Sequence, residues 1–151
     1  MKKSIAIVTL LLISFGVYAA PGDENISYIK TWDNVYFGQD VKVGLFNSKI
    51  ISSDGEVTKI SNRDVIAYMD NSRLFEYLPV MNESNEVICY AMMEYITCRS
   101  GLRLYRYECY EANNTRCYYF IFKDGNYYLQ INQRNALTVL PFFGINDFKL
   151  S

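Results

Sequence analysis

This chain of 151 residues contains no histidine. Serine–histidine and cysteine–histidine nucleophile systems are therefore excluded, along with a histidine general base and a histidine-ligated metal. Glycine-rich phosphate loops are missing, and there is no run of like charge, low-complexity tract or internal repeat. Basic residues are scattered: the closest set, Arg99, Arg103 and Arg106, is interleaved with Glu94, Glu108 and Glu111. A protein that tracks phosphates needs a basic footprint, so nucleic acid is not an expected partner. Ser27-Tyr28-Ile29-Lys30 matches S-x-x-K, but its companion motifs S-D-N and K-T-G are absent, which makes the match one of chance. No residue set implies a cofactor or a metal. The 16 acidic residues leave open only an enzyme built on a carboxylate pair, and nothing in the sequence selects one such pair.

A long apolar run occurs once, at the front. Met1-Lys2-Lys3-Ser4 is basic and is followed by the apolar stretch Ile5 to Val17. That stretch is shorter than the roughly 20 residues a membrane-spanning helix needs. Val17-Tyr18-Ala19 then places small residues at the −3 and −1 positions of a cleavage site. Residues 1–19 read as a removable export signal and 20–151 as one globular domain, periplasmic or secreted, with no membrane insertion after cleavage. Loss of Lys2 and Lys3 leaves 13 basic against 16 acidic residues, a net charge of −3. The new N-terminus, through Pro21-Gly22-Asp23, is expected to fray.

Four cysteines, Cys89, Cys98, Cys109 and Cys117, lie close together in the sequence. In an exported chain an even number of cysteines points to two disulfides, each contributing about 2–4 kcal/mol. Structural zinc sites use closely spaced cysteine pairs, whereas the gaps here are 8, 10 and 7 residues, so zinc is not expected.

Local patterns predict an α+β, mainly β fold with one or two short helices. Val41, Val43 and Leu45 alternate with polar residues as a strand does, and Asp54-Gly55 marks a two-residue hairpin within Lys49 to Ile60. Ser61-Asn62-Arg63-Asp64 resembles a helix start, with a short helix running to about Asn71. Residues 86–98 fit a helical face or a buried strand. The turn residues Ser100-Gly101 favour the strand. An antiparallel meander follows over about 102–132, with Asp124-Gly125 as a hairpin loop and Ala112-Asn113-Asn114-Thr115 as a longer turn. In the register that keeps Arg106 and Glu108 out of the core, Cys109 and Cys117 point to opposite faces, and Cys109 is left to pair with Cys89 or Cys98. A bulge would restore a Cys109–Cys117 bridge, so the connectivity stays open. Leu137 to Leu140 reads as a last strand stopped by Pro141. Phe142, Phe143, Ile145 and Phe148 are expected to close the core.

Nine tyrosines fall between Tyr90 and Tyr128. Strands favour aromatic residues, and alternation sends about half of these rings inward. The rest, with arginine, match the composition of recognition surfaces. The expected partner-binding set on the outer face of the meander is Arg106, Glu108, Tyr119, Tyr128 and Gln130. The class this supports is a non-enzymatic inhibitor or immunity-type protein bound to another protein of the envelope or exterior. A glycan-binding or toxin-accessory subunit is the second class, and a carboxylate-only hydrolase the third.

N-terminal sequencing of the exported protein is expected to start at Ala20. A mass that retains Met1 to Ala19 contradicts the cleavage.

Overall fold

The computed structural model describes residues 26–111 and 114–146. The expected export signal, the N-terminus expected to fray and Phe148 lie outside these residues. The strands are β1 (Ser27–Thr31), β2 (Val35–Gly38), β3 (Asp40–Val43), β4 (Asn47–Ile51), β5 (Val57–Ser61), β6 (Val65–Asp70), β7 (Arg73–Met81), β8 (Val87–Arg99), β9 (Leu102–Glu111), β10 (Asn114–Lys123) and β11 (Asn126–Ile131), followed by one helix, α1 (Ala136–Phe142). Eight strands form one antiparallel sheet in the order β11-β10-β9-β8-β7-β6-β1-β2, and β3-β4-β5 form a second. The mainly β expectation holds, with one short helix.

Two-residue turns set the registers of the main sheet. Asp70 pairs with Arg73 across Asn71-Ser72, Arg99 with Leu102 across Ser100-Gly101, and Lys123 with Asn126 across Asp124-Gly125. All six turn residues have positive φ, the type I′ signature that matches the strand twist. The segment read as helix or strand therefore lies in β8 from Val87 on, as Ser100-Gly101 suggested. Asp54-Gly55 behaves differently. Only Gly55 has positive φ there, and Ile51 pairs with Val57, so the loop is five residues long. Ser52 Oγ and the Glu56 N–H both donate to Asp54 Oδ1, which favours the wider turn.

The helix expected after Ser61 is replaced by a tight turn and β6. Val65 and Ala67 are buried, and β6 is paired on both sides, with β1 and β7. Two ladders outweigh one local cap signal. Asn62 is held in the turn by both ends of its amide: Oδ1 accepts from Ser48 Oγ at 2.7 Å and Nδ2 donates to the Gly44 carbonyl at 2.7 Å. Val41 is buried on β3, whereas Val43 and Leu45 are exposed. At Gly38 the chain passes from the first sheet to the second, and a Cβ there would sit 2.5 Å from the Ile51 carbonyl oxygen. Only glycine fits that approach.

One face of the large sheet is covered at its two ends. Ile29 and Val65 pack with Val41, Ile50 and Ile60 of the small sheet. Leu104, Ile121 and Ile131 pack with Ala136, Leu140 and Phe143. The last contacts depend on a bulge. Phe122 pairs with Tyr127, but Ile121 pairs with Leu129 and Tyr119 with Ile131, so Tyr128 is an extra residue. The shift turns Leu129 and Ile131 toward α1.

The opposite face carries a cluster drawn wholly from β7 to β11, with Val80, Met93, Tyr105, Phe120 and Phe122 at its centre. Its rings meet edge to face: Tyr105 lies 5.5 Å from Phe122 at 86°, and Phe122 lies 6.1 Å from Tyr127 at 79°. The Tyr105 hydroxyl donates to Glu76, and burial together with that bond raises its pKa well above the usual phenol value. The phenol is kept neutral and hydrogen-bonded inside an apolar cluster.

The expected last strand is a helix. Asn132 Oδ1 accepts from the Arg134 N–H, and Asn135 Oδ1 accepts from the Asn132 N–H, forming a turn that releases the chain into α1. At the other end Gly144 has φ +79°, its N–H reaches the Pro141 carbonyl, and the Ile145 N–H reaches the Leu140 carbonyl. This is a Schellman stop, sealed by apolar contact of Leu140 and Ile145 within the same cluster. Pro141 stands in the last turn, where its missing N–H costs one bond. Phe143 and Ile145 do close the core.

The cysteine expectation is corrected: no disulfide joins any of the four. Cys89 and Cys98 share β8, nine residues apart, which at about 3.3 Å per residue is about 30 Å. Cys98 lies opposite Arg103, six residues along β9 from Cys109, about 20 Å. Cys109 lies opposite Arg116 and Cys117 opposite Glu108, so their side chains leave opposite faces. A disulfide needs Cα atoms within about 7 Å and converging Cβ vectors. The register that keeps charge outward is the one found, with Glu111 opposite Asn114, two residues tighter than the expected four-residue loop.

Leu140→Ala is expected to destabilise by about 2–5 kcal/mol, and Leu137→Ala, exposed on the same helix, by under about 0.5 kcal/mol. Urea unfolding of both variants checks the helical placement, because comparable losses contradict it.

Candidate functional site

Between the small sheet and α1, the covered face of the large sheet is open over its central strands. Register places Tyr68, Phe75, Glu94 and Arg106 in one row across β6, β7, β8 and β9, with Tyr119 beyond on β10. Tyr68 and Phe75 stack at 4.6 Å, and the Arg73 guanidinium lies 5.1 Å from the Phe75 centroid. Arg73 Nε donates to Glu94 Oε1 at 2.7 Å, and Arg106 Nε donates to Glu94 Oε2 at 3.0 Å. Arg106 also lies 3.3 Å from Glu108. Further along the same face, the exposed rings of Tyr77 and Tyr90 stack at 5.5 Å.

The Glu94 side chain is only 12% exposed. Burial by itself would raise its pKa, but the bonds from Arg73 and Arg106 outweigh burial and hold the carboxyl below its usual range. A carboxylate gripped by two guanidiniums stays ionised, so it clamps three strands together and is unsuited to general acid work. What remains open to contact is the outer edge of the arginines, the Glu108 carboxylate and the flat tyrosine rings.

Of the residues expected at a partner surface, the structure brings Arg106, Glu108 and Tyr119 together. Tyr119 also packs against the α1 cluster. The β11 bulge turns Gln130 away from them, opposite Phe120 on the aromatic face, and Tyr128 is the exposed extra residue. The sequence reading missed Arg73, Phe75, Tyr77, Tyr90 and the role of Glu94. Their alternation on β7 and β8 was a usable signal once the Asn71-Ser72 turn fixed the register. The three neighbouring arginines go to three places: Arg99 over Phe142, Arg103 beside Glu76, and Arg106 on Glu94. Ser27 and Lys30 lie three residues apart on β1 and so face opposite sides, which removes any S-x-x-K chemistry. Among the described residues no group of histidine, cysteine, aspartate or glutamate is arranged to hold a metal, and no helix is long and apolar enough to cross a membrane.

No protein-family model, curated protein or solved structure matches this chain.

Glu94→Gln is expected to cost about 1–2 kcal/mol at pH 7. Because the folded pKa is depressed, the contribution of Glu94 is complete above the ordinary carboxylate value and is lost as pH falls through the folded one. Denaturation from pH 7 to pH 3 should therefore show the wild-type advantage shrinking below about pH 4.5. An advantage unchanged across that range contradicts the clamp.

Proposed function

We propose that this chain is a small exported, non-enzymatic binding protein of the inhibitor or immunity type, whose partner is another protein of the envelope or exterior. The observation that carries this reading is the open stripe between the small sheet and α1. There, charged groups already fixed by Glu94 alternate with aromatic rings. Such a surface offers rigid, amphipathic contact area at small entropic cost, as protein recognition sites do. The carboxylates nearest to catalytic use are engaged elsewhere, Glu94 by two arginines and Glu76 by the Tyr105 phenol. Export rests on the N-terminal pattern, and the partner is placed in the same compartment on that ground.

A glycan-binding subunit is the second reading, favoured by the exposed Tyr77–Tyr90 pair, whose rings suit stacking on sugars. The two classes differ in what they retain. Immobilised protein is expected to hold a single envelope protein in a 1:1 complex from a periplasmic extract, and Glu108→Lys and Tyr77→Ala should each weaken that complex about tenfold or more. Capture unchanged in both folded variants contradicts the surface. Binding on a glycan array with no protein retained transfers the function to the second reading.

A further inference from the structure

The central ladder of the large sheet stops part-way. Strands β8 and β9 pair from Arg99 and Leu102 as far as Glu94 and Arg106, and no farther. Beyond that rung β8 continues beside β7 to Val87, and β9 beside β10 to Glu111. The sheet thus forks into two hairpin arms, and over residues 87–93 β8 has a strand neighbour on one side only.

The two edges of the β7–β8 arm are not equivalent. β6 pairs with β7 only up to Glu76, so β7 also has an open outer edge over 77–81, and Pro79 stands in it. A proline in a strand belongs where no ladder donor is needed, and it blunts an edge against further pairing. Pro79 lies opposite Tyr90. Having no N–H, it makes this a non-hydrogen-bonded pair. By antiparallel alternation the N–H and C=O of Tyr90 then turn away from β7, into the fork. Met92 has the same parity, as does Glu94, whose partner Arg106 lies on that side. From Val87 to Met93 the β8 edge carries no proline and no charged residue. One edge of the arm is protected, and the edge facing the fork is not.

The surroundings of the fork define what fits it. Val87, Ile88, Tyr90, Tyr77 and Tyr110 all expose large apolar side chains along it. Between the last rung and the two tips the arms carry, among the described side chains, three carboxylates, Glu83, Glu86 and Glu108, and one arginine, Arg116. A row of main-chain donors and acceptors at strand spacing is matched only by another extended main chain. The acidic surroundings select basic side chains on it.

We propose that the fork receives an extended segment of the partner protein, which adds to the free edge of β8 as a strand and alternates apolar residues with lysine or arginine. This inference rests on the reading that the partner is a protein, and it specifies how that partner is held.

The test uses linear ten-residue peptides displayed on phage and selected against the full-length protein, with the best sequence then synthesised. The selected peptides should be basic, alternate in hydrophobicity and lack proline. Their binding should slow amide exchange at Tyr90 and Met92 by tenfold or more in the wild-type protein, a readout that needs no variant. Tyr90→Ala keeps the N–H and removes the ring, whereas Tyr90→Pro removes both. Strand addition predicts a loss of affinity at least tenfold greater for proline than for alanine. Equal losses mean that side chains alone do the docking, which overturns strand addition and leaves the protein-binding surface standing. Peptides that protect other amides, or failure to select any, also overturn it. So does a homodimer that Tyr90→Pro dissolves, since the occupant is then a second copy of this chain. The extract capture separately decides whether a protein partner exists.

Discussion

Glu94 sits at the rung where β8 is last held to β9, and its carboxylate takes one arginine from β7 and one from β9. Three adjacent strands are tied there through a single mostly buried ion. Isolated surface ion pairs contribute little, but a carboxylate that accepts from two guanidiniums in one partly desolvated site behaves as a charge-assisted network. On one side of this clamp the ladder runs, through a bulge at Ile96, to the Ser100-Gly101 turn. On the other the two hairpins part. The open stripe, the fork and the orientation of Arg106 all depend on where that clamp falls.

The two faces of the sheet meet the burial problem in different ways. One borrows cover: the small sheet at one end and α1 at the other supply the apolar surface that Ile29, Leu104 and Ile121 need. The other face relies on ring size. Phe120, Phe122, Tyr105 and Tyr127 pack edge to face, so each large ring shields its neighbour. The polar end of Tyr105 is matched by Glu76 rather than left unpaired, which keeps one hydroxyl inside the cluster without the cost of an unsatisfied group. Tyrosine density in this chain thus serves two purposes. Part of it builds the core, and part lies on the open stripe.

Much of the meander was legible residue by residue. Asp124-Gly125 and Ser100-Gly101 carry turn chemistry that few other conformations use, and the cost of burying Arg106 and Glu108 was enough to select the parity of β9 against β10. Where the reading failed, a local signal competed with a distant partner. Ser61 to Asp64 looks like a helix cap, yet β1 and β7 both pair with the residues that follow. Leu137 to Leu140 looks like a strand, yet the Asn132–Asn135 turn starts a helix that fits over Ile121 and Ile131. Gln130 falls on the aromatic face rather than beside Tyr119 because Tyr128 is one extra residue, and a bulge reverses every later side chain while leaving little trace in composition.

The sequence by itself determined the absence of imidazole chemistry, the mainly β character, the Ser100-Gly101 and Asp124-Gly125 turns and the face on which Arg106 and Glu108 lie. Each of these follows from residue type or from the geometry of two neighbouring residues. Only the tertiary structure decided that the four thiols stand apart, that Glu94 is the centre of the charged row, and that β8 parts from β9 beyond the Glu94–Arg106 rung. Those outcomes depend on which strands become neighbours and how far their ladders run. That choice is made by the summed burial of side chains far apart in the chain, and no local pattern encodes it.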